Sequence, residues 1–216
     1  LEDGVLSAED TFFCPGHFEI SNNRFHCWKR RGHGTMNVAD SIIQSCDVFF
    51  YEVGQKVGID KISAMARRFG LGEHHDLPLS AVSRGVAPTR EWKKKSFGKD
   101  WLLGDTVNAS IGQGYVLATP LQLAVMITRI ASSGKKVLPS IIKSTNINEF
   151  DLMIKYQDQL KIIKKSLFGV VNEKRGTANK SKSKYFNFSG KTGTSQVKKI
   201  TLAERESEDF RNIEIS

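Results

Sequence analysis

Four residues in the first quarter of the chain have the types and spacing of a metal clip. They are Cys14, Cys27, His33 and Cys46, in the pattern C-x12-C-x5-H-x12-C. Three thiolates and one imidazole make a full tetrahedral zinc set, with bonds of about 2.0 to 2.3 Å. Four protein ligands leave no open position, so a zinc held this way would be structural and not hydrolytic. The chain has 3 cysteines in all, and an odd count argues against a closed disulfide set. Cys14-Pro15-Gly16 reads as a tight turn and Gly32-His33-Gly34 as a loop of close backbone approach. The plain alternative is three unrelated buried thiols, since no C-x2-C pair is present. His17 or His26 can also stand in for His33 as the nitrogen ligand, whereas His74 and His75 read as a polar loop.

A second set is Ser45-Cys46-Asp47 together with Lys191-Thr192-Gly193-Thr194. A Ser-x-Asp at a break between two helices can aim a hydroxyl and a carboxylate into a cleft. On a strand, Lys191 and Gly193 face the same way. That sets a cation beside backbone that carries no side chain, where a substrate carboxylate or carbonyl can pair with the lysine. Each motif alone is short enough to recur by chance.

The elements that must position these residues can be read from capping and periodicity. Asn37 caps a helix through Val38, Ile42 and Ile43, which ends near Ser45-Cys46-Asp47. A second helix carries Phe49, Phe50, Val53 and Val57 and stops at Gly58. Asp60 is expected to cap a third, with Ile62, Met65 and Phe69 on one face. Thr119-Pro120 opens the clearest helix, with Leu123, Ile127 and Ile130 expected on its core face and Gly134 at the exit. Leu160 to Val171 has helical spacing. Val137 to Ile142 reads as a short strand, and Tyr185 to Val197 as a strand interrupted at Gly190 and Gly193. Residues 1–34 and 72–110 read as loop-rich or irregular, residues 144–157 as a polar connection, and residues 198–216 as a charged tail.

The chain has 216 residues and a net charge of +9, with 39% apolar and 25% charged residues. That is enough for one domain with a sizeable core and no disulfide framework, and it is not the composition of a disordered chain. The basic residues are scattered and mostly lysine, as on a solvated face. The longest apolar run, Leu121 to Ala131, is too short for a membrane span and carries Arg129. No secretory signal or anchor is expected in the chain as given.

Lys-Thr-Gly and Ser-x-Asp are two of the three elements of the penicillin-recognising serine enzymes. The chain resembles class B penicillin-binding proteins, and most closely their elongation-transpeptidase branch, from Leu1 to about Val197. The resemblance is carried by Gly32-His33-Gly34, Ser45-Cys46-Asp47 followed by Val48-Phe49-Phe50-Tyr51, Pro88-Thr89-Arg90-Glu91-Trp92-Lys93, Gly104-Asp105-Thr106, Ile111-Gly112-Gln113-Gly114-Tyr115 before Ala118-Thr119-Pro120, Arg175-Gly176-Thr177-Ala178, and Gly190-Lys191-Thr192-Gly193-Thr194-Ser195-Gln196-Val197.

The resemblance implies an α+β, transpeptidase-like fold, here mainly its helical subdomain plus the Lys-Thr-Gly strand. It implies acyl transfer through a serine onto an amine of a neighbouring peptidoglycan stem peptide, a step that β-lactams block. Ser45 would relay a proton, Asp47 would hold that arrangement or bind peptide, and Lys191 would raise the positive potential. Thr192 and Thr194 would bind the terminal carboxylate, the Thr194 N–H would donate to an oxyanion, and Gly193 would leave room for substrate. Some members look to hold zinc at positions matching Cys14, Cys27, His33 and Cys46, where it would stiffen the Ser45–Asp47 loop. A membrane glycosyltransferase of the SEDS family and the periplasmic face of the bacterial inner membrane are the implied partner and place.

The chain departs from the family's pattern in three respects: Asp47 stands where Asn is commoner, the sequence stops soon after the Lys-Thr-Gly segment, and one catalytic element is not where it is expected. The Ser-x-x-Lys nucleophile should lie upstream of Ser45, and no such match occurs there. Three later ones, Ser96 to Lys99, Ser133 to Lys136 and Ser181 to Lys184, read as chance in a lysine-rich chain. The expectation is therefore residues 1–197 as an internal piece of a transpeptidase domain, inactive alone and completed by a complementary segment. Two rival readings stand beside it. One is a zinc-stabilised basic nucleic-acid module, suggested by Lys29-Arg30-Arg31, although no nucleic-acid partner is expected on the first reading. The other is a non-catalytic remnant that binds cell wall or a partner.

Overall fold

The computed structural model describes residues 1–79, 81–143, 150–154 and 157–194. Seven helices and four short strands are present among them. The stretch expected to be loop-rich, residues 1–34, holds three of these strands and the first residue of the fourth. Strand β1 (Phe12–Cys14) pairs antiparallel with β4 (Gly34–Met36), and β2 (His17–Ile20) pairs with β3 (Asn23–His26). Strands of three or four residues are too short to show alternation, so periodicity could not reveal them.

Helix α1 (Val38–Gln44) starts as expected, with Asn37 Oδ1 accepting from the Asp40 N–H at 2.9 Å. Helix α2 (Asp47–Val57) follows after two residues and ends at Gly58. Its Phe49 and Tyr51 are buried and form the floor under both strand pairs. Phe12 meets Phe49 edge-on at 5.3 Å, and Phe18 and Phe25 flank Tyr51. The Tyr51 hydroxyl donates to the His26 carbonyl at 3.1 Å. The core that joins these elements contains Leu6, Met36, Ile42, Val48, Val107 and Val170, with all three cysteines inside it.

Helix α3 (Ile59–Arg68) begins one residue before Asp60, with Gly58 at its N-cap. Asp60 serves another helix instead: its carboxylate accepts from the Arg90 N–H at 3.1 Å. That helix, α4 (Arg90–Phe97), and α5 (Leu103–Ser110) lie in the region read as irregular. Each is only eight residues long and mostly polar or small, so neither shows a full apolar stripe.

Helix α6 (Pro120–Ala131) has the expected Thr119 cap and Pro120 start. Its core face is not the expected one. Leu123 and Ile127 are 46% and 47% exposed, while Gln122 and Arg129 are buried. The buried polar pair answers carbonyls of the chain that crosses this face. Gln122 Nε2 donates to the carbonyls of Glu73 (2.9 Å) and Arg84 (2.7 Å). Arg129 donates to those of Arg68 (2.9 Å) and Val137 (3.1 Å). Carbonyls that pack against a helix face need donors, and those outside a helix or ladder must find them in side chains.

Helix α7 (Gln157–Asn172) packs on α1, with Ile43 against the backbone of Gly169. Two expected strands are not observed. Residues 137–142 join no ladder; the nearest pairing is a single bridge between Lys135 and Leu152. Tyr185–Thr194 pairs with no strand among the described residues. It runs instead along α7, where the Gly190 N–H donates to the Leu167 carbonyl at 3.1 Å and Asn172 Nδ2 to the Phe188 carbonyl at 2.9 Å. Residues 195–197 of that expected strand and the charged tail 198–216 lie outside the described residues.

Candidate functional site

The two sets of residues singled out from the sequence meet at the α1–α2 break. Ser45 closes α1 in the left-handed region, at φ 53° and ψ 52°. Cys46 is the N-cap of α2 and Asp47 its first residue. One tripeptide therefore turns three successive side chains in three directions.

Cys46 points into the core, where it meets Cys14, Cys27 and His33. One ligand atom from each of the four lies within 4.8 Å of all the others. His33 Nδ1 is 3.4 Å from Cys27 Sγ and 3.6 Å from Cys14 Sγ. His17 and His26 face each other across the β2–β3 ladder and are not members of the group. The two turns close as their glycines suggested. Gly16 (φ 100°) and Gly32 (φ 75°) stack backbone on backbone, and a Cβ on either would stand 2.2 Å or less from a carbonyl oxygen. The His33 N–H donates to the Cys14 carbonyl at 3.1 Å and the Cys27 N–H to that of Gly16 at 2.9 Å, which fixes the four side chains at one point.

The donor set fits a divalent, thiophilic cation. All three cysteines are reduced and buried. A hydrogen bond from Cys46 holds the Cys27 thiol down to about 4. That same bond, and burial after it, pushes the Cys46 thiol up, and burial pushes up Cys14. The group thus carries thiolate character in an apolar surround, a costly arrangement without a cation. The outer ring nitrogen of His33, Nε2, is buried with no hydrogen-bond partner among the described residues, so the polar contact of the ring there is on the thiol side.

Ser45 points the other way, toward the Lys-Thr-Gly segment. Lys191 Nζ donates to Ser45 Oγ at 2.6 Å, although 146 residues separate them. Thr192 Oγ1 lies 3.2 Å from Ser45 Oγ, and Thr177 Oγ1 lies 3.2 Å from Ser45 Oγ and 2.8 Å from Thr192 Oγ1. Three hydroxyls and one ammonium thus form a closed ring. Burial lowers the Lys191 pKa, with the Asp47 carboxylate opposing. Burial also pushes the Asp47 carboxyl up to about 6, against a hydrogen bond from the Trp28 N–H. Around Gly193 nothing lies within 4 Å of where a Cβ would stand, so the fold itself makes no demand for glycine there. Thr194 is exposed and stands outside the ring.

Thr177 is the member that sequence reasoning quoted within a motif without giving it a role. Its place follows from the end of α7. The Thr177 N–H donates to the Ile43 carbonyl at 3.2 Å and the Ala178 N–H to that of Val170 at 3.0 Å, tying the turn to both helices. Gly176 allows this: a Cβ there would stand 2.3 and 2.4 Å from the carbonyl oxygens of Val170 and Gly169. Gly176→Ala is expected to destabilise by about 1 to 3 kcal/mol, since backbone must move to admit the methyl. A urea midpoint unchanged from the parent chain would refute this.

The three Ser-x-x-Lys matches lie elsewhere. Ser133 Oγ accepts from Lys164 at the exit of α6, Ser96 is on α4, and Ser181 is in a 3-10 turn at Asn179–Ser181. None bonds to the Ser45 ring.

Residues 1–209 match the model of the penicillin binding protein transpeptidase domain. The chain belongs to this family. Among its relatives, the peptidoglycan D,D-transpeptidase MrdA of Escherichia coli K12 is 35% identical over 210 residues, covering 91% of this chain and 33% of that one. The transpeptidase-family fold extends to solved structures. Pseudomonas aeruginosa PBP2, in complex with WCK 5153, superposes with a TM-score of 0.84 at 31% identity, covering 91% of this chain and 47% of that one. PBP2 of Helicobacter pylori, in complex with MreC, gives 0.82 at 35% identity, covering 89% and 36%. This chain spans about a third of the length of the curated relatives it matches. Among the described residues of this transpeptidase-family chain, no helix is long and apolar enough to cross a membrane.

Proposed function

We propose that this chain supplies two of the three elements of a peptidoglycan D,D-transpeptidase site, in an enzyme that cross-links stem peptides by serine acyl transfer during cell elongation. The observation that carries it is the short bond from Lys191 to Ser45, closed by Thr177 and Thr192. A lysine on the surface whose pKa is lowered by local desolvation, bonded to a hydroxyl, is suited to pass a proton between a base and a leaving amine. The hydroxyls of Thr192 and Thr177 beside that cation suit a terminal carboxylate. The open space at Gly193 suits a peptide lying along the backbone, with the N–H of Thr194 as an oxyanion donor. Asp47, half-buried as the first residue of α2, holds the turn by accepting from the Trp28 N–H.

The four-residue group would hold a structural zinc through Cys14, Cys27, His33 and Cys46. Its chemistry is to fix geometry and not to activate water, because no ligand position stays open. Work at the periplasmic face of the inner membrane, beside a membrane glycosyltransferase of the SEDS family, agrees with family membership and with a relative solved in complex with MreC. β-Lactams would act as mimics of the stem-peptide terminus. The relatives are peptidoglycan transpeptidases and lend the nucleic-acid module no support.

The test is a titration of the 216-residue chain with N-acetyl-D-Ala-D-Ala, followed by amide resonances. Saturable shifts at Ser45, Thr177, Lys191 and Thr192 are expected, and weaker ones with the L,L isomer. Equal shifts for both isomers, or none, would sink the reading. In native mass spectrometry the same polypeptide is expected to form no covalent adduct with a penicillin, because the nucleophile and its base act as a unit and no Ser-x-x-Lys pair stands at this site among the described residues. An adduct at Ser96, Ser133 or Ser181 would show that the nucleophile has been misassigned.

A further inference from the structure

Trp28 follows Cys27 directly and makes four contacts that join the cysteine group to the Ser45 turn. Its indole N–H is shared between the carbonyls of Gln44 (3.0 Å) and Ser45 (2.9 Å). Its backbone N–H donates to Asp47 Oδ2 at 3.0 Å. Its ring meets the His33 ring edge-on, with centroids 5.4 Å apart and planes at 68°.

The carbonyls it caps are among those that α1 leaves without intrahelical partners. A helix usually ends this way on glycine, which reaches the left-handed region at no steric cost. Here the residue in that region is Ser45, which has to be a serine for its hydroxyl to meet Lys191. Something must hold a serine in a conformation it disfavours. Packing does not account for Trp28, because the residue remains 59% exposed. Its polar N–H is what the fold uses.

We propose that Trp28 is a positioning residue, a strut that carries the rigidity of the Cys14–Cys27–His33–Cys46 group into the conformation of Ser45 and Asp47. The ring rests on His33, the indole N–H pins the carbonyls on either side of the α1 end, and the main-chain N–H pins Asp47. Filling the group with metal then tightens Ser45 through Trp28 as well as through Cys46. The inference rests on the reading of Ser45 and Asp47 as site residues, but its test needs no ligand, so the two fail separately.

The test is hydrogen exchange on the full 216-residue chain, parent against Trp28→Phe and Trp28→Ala, with zinc content read on the same samples by native mass spectrometry. Trp28→Phe keeps a ring on His33 and removes only the indole N–H. It is expected to retain the parent's zinc content while the amides of Ser45 and Cys46 exchange about tenfold faster. Trp28→Ala is expected to speed the same two amides at least as much. A packing role would leave Trp28→Phe like the parent and speed exchange in Trp28→Ala alone, and that result would overturn the proposal. So would parent-like exchange in both variants. In the unaltered chain the indole proton of Trp28 is expected to exchange at least about tenfold more slowly than a free indole; exchange at the free rate would overturn the proposal without any variant.

Discussion

Stripping metal from this chain with a chelator is expected to lower its melting temperature by roughly 8 to 16 °C. The figure comes from two steps. Zinc at a thousandfold excess over its Kd stabilises the state that binds it by about 4 kcal/mol. A domain of this size shifts by roughly 2 to 4 °C for each kcal/mol. The coupling to folding is direct, because the ligands come from four separate places: the end of β1, the residue after β3, the loop before β4, and the α1–α2 break. No unfolded chain brings these together, so binding energy becomes folding energy. All three cysteines also belong to the main core, so loss of the metal is felt by Phe49 and Tyr51 and not only by a surface loop. Cys46→Ser should remove the zinc and reproduce the lower melting temperature, with chelator then having no further effect. A chain that melts at one temperature with zinc, with chelator and as Cys46→Ser would show that the four residues are merely a buried thiol cluster.

The helices that frame the site were legible because their ends carry chemistry that acts locally. Asn37, Gly58, Thr119 and Pro120 each state a boundary within one turn of themselves. The core face of α6 was not legible. Leu123, Ile127 and Ile130 repeat at helical spacing, and the helix still buries Gln122 and Arg129, because the segment it packs against brings carbonyls that only long polar side chains can satisfy. That demand arises from the partner surface and leaves no trace in the periodicity of α6 itself. Asp60 makes the same point: a good cap residue at the right place caps a different helix, thirty residues on.

The site divides in the same way. Ser45, Asp47 and Lys191 were recognisable as types, and the structure brings Ser45 to Lys191 directly. Thr177 and Trp28 were not assigned roles. Threonine and tryptophan are common outside sites, and what gives each its place is a backbone arrangement: the Gly176 turn for one, the left-handed end of α1 for the other. The expected strand at Tyr185–Thr194 failed for a related reason. A strand needs a neighbour to pair with, and among the described residues this segment finds α7 instead.

Asp105→Ala is expected to destabilise the chain by about 3 to 5 kcal/mol, the cost of leaving a buried charge without its partner. Lys93 and Asp105 form an ion pair whose side chains are 4% and 16% exposed. Lys93 lies over the rings of Tyr115 and Trp101, 5.3 and 5.8 Å from their centroids, with Trp92 and Phe97 completing the aromatic wall around Tyr115. The rings offset part of the ammonium's desolvation, on the order of 1 to 2 kcal/mol, which is less than the burial of a whole charge costs. Asp105 has a second duty at the start of α5, where its carboxylate accepts from the Leu102 N–H at 2.8 Å. The pair therefore ties α4 to α5, and α5 is the helix on which α2 rests. The loss of Asp105 is thus expected to reach the α1–α2 break from the side opposite the cysteine group. The double variant Lys93→Met with Asp105→Asn removes both charges, keeps volume, and leaves an acceptor for Leu102. It should recover more than half of the loss, because a buried pair replaced whole costs little. Urea unfolding of the parent, Lys93→Met, Asp105→Asn and the double variant gives the coupling energy. A coupling below about 0.5 kcal/mol, the range of exposed pairs, would mean that the ammonium reaches water in solution and that the aromatic wall, not the charge, holds α4 to α5.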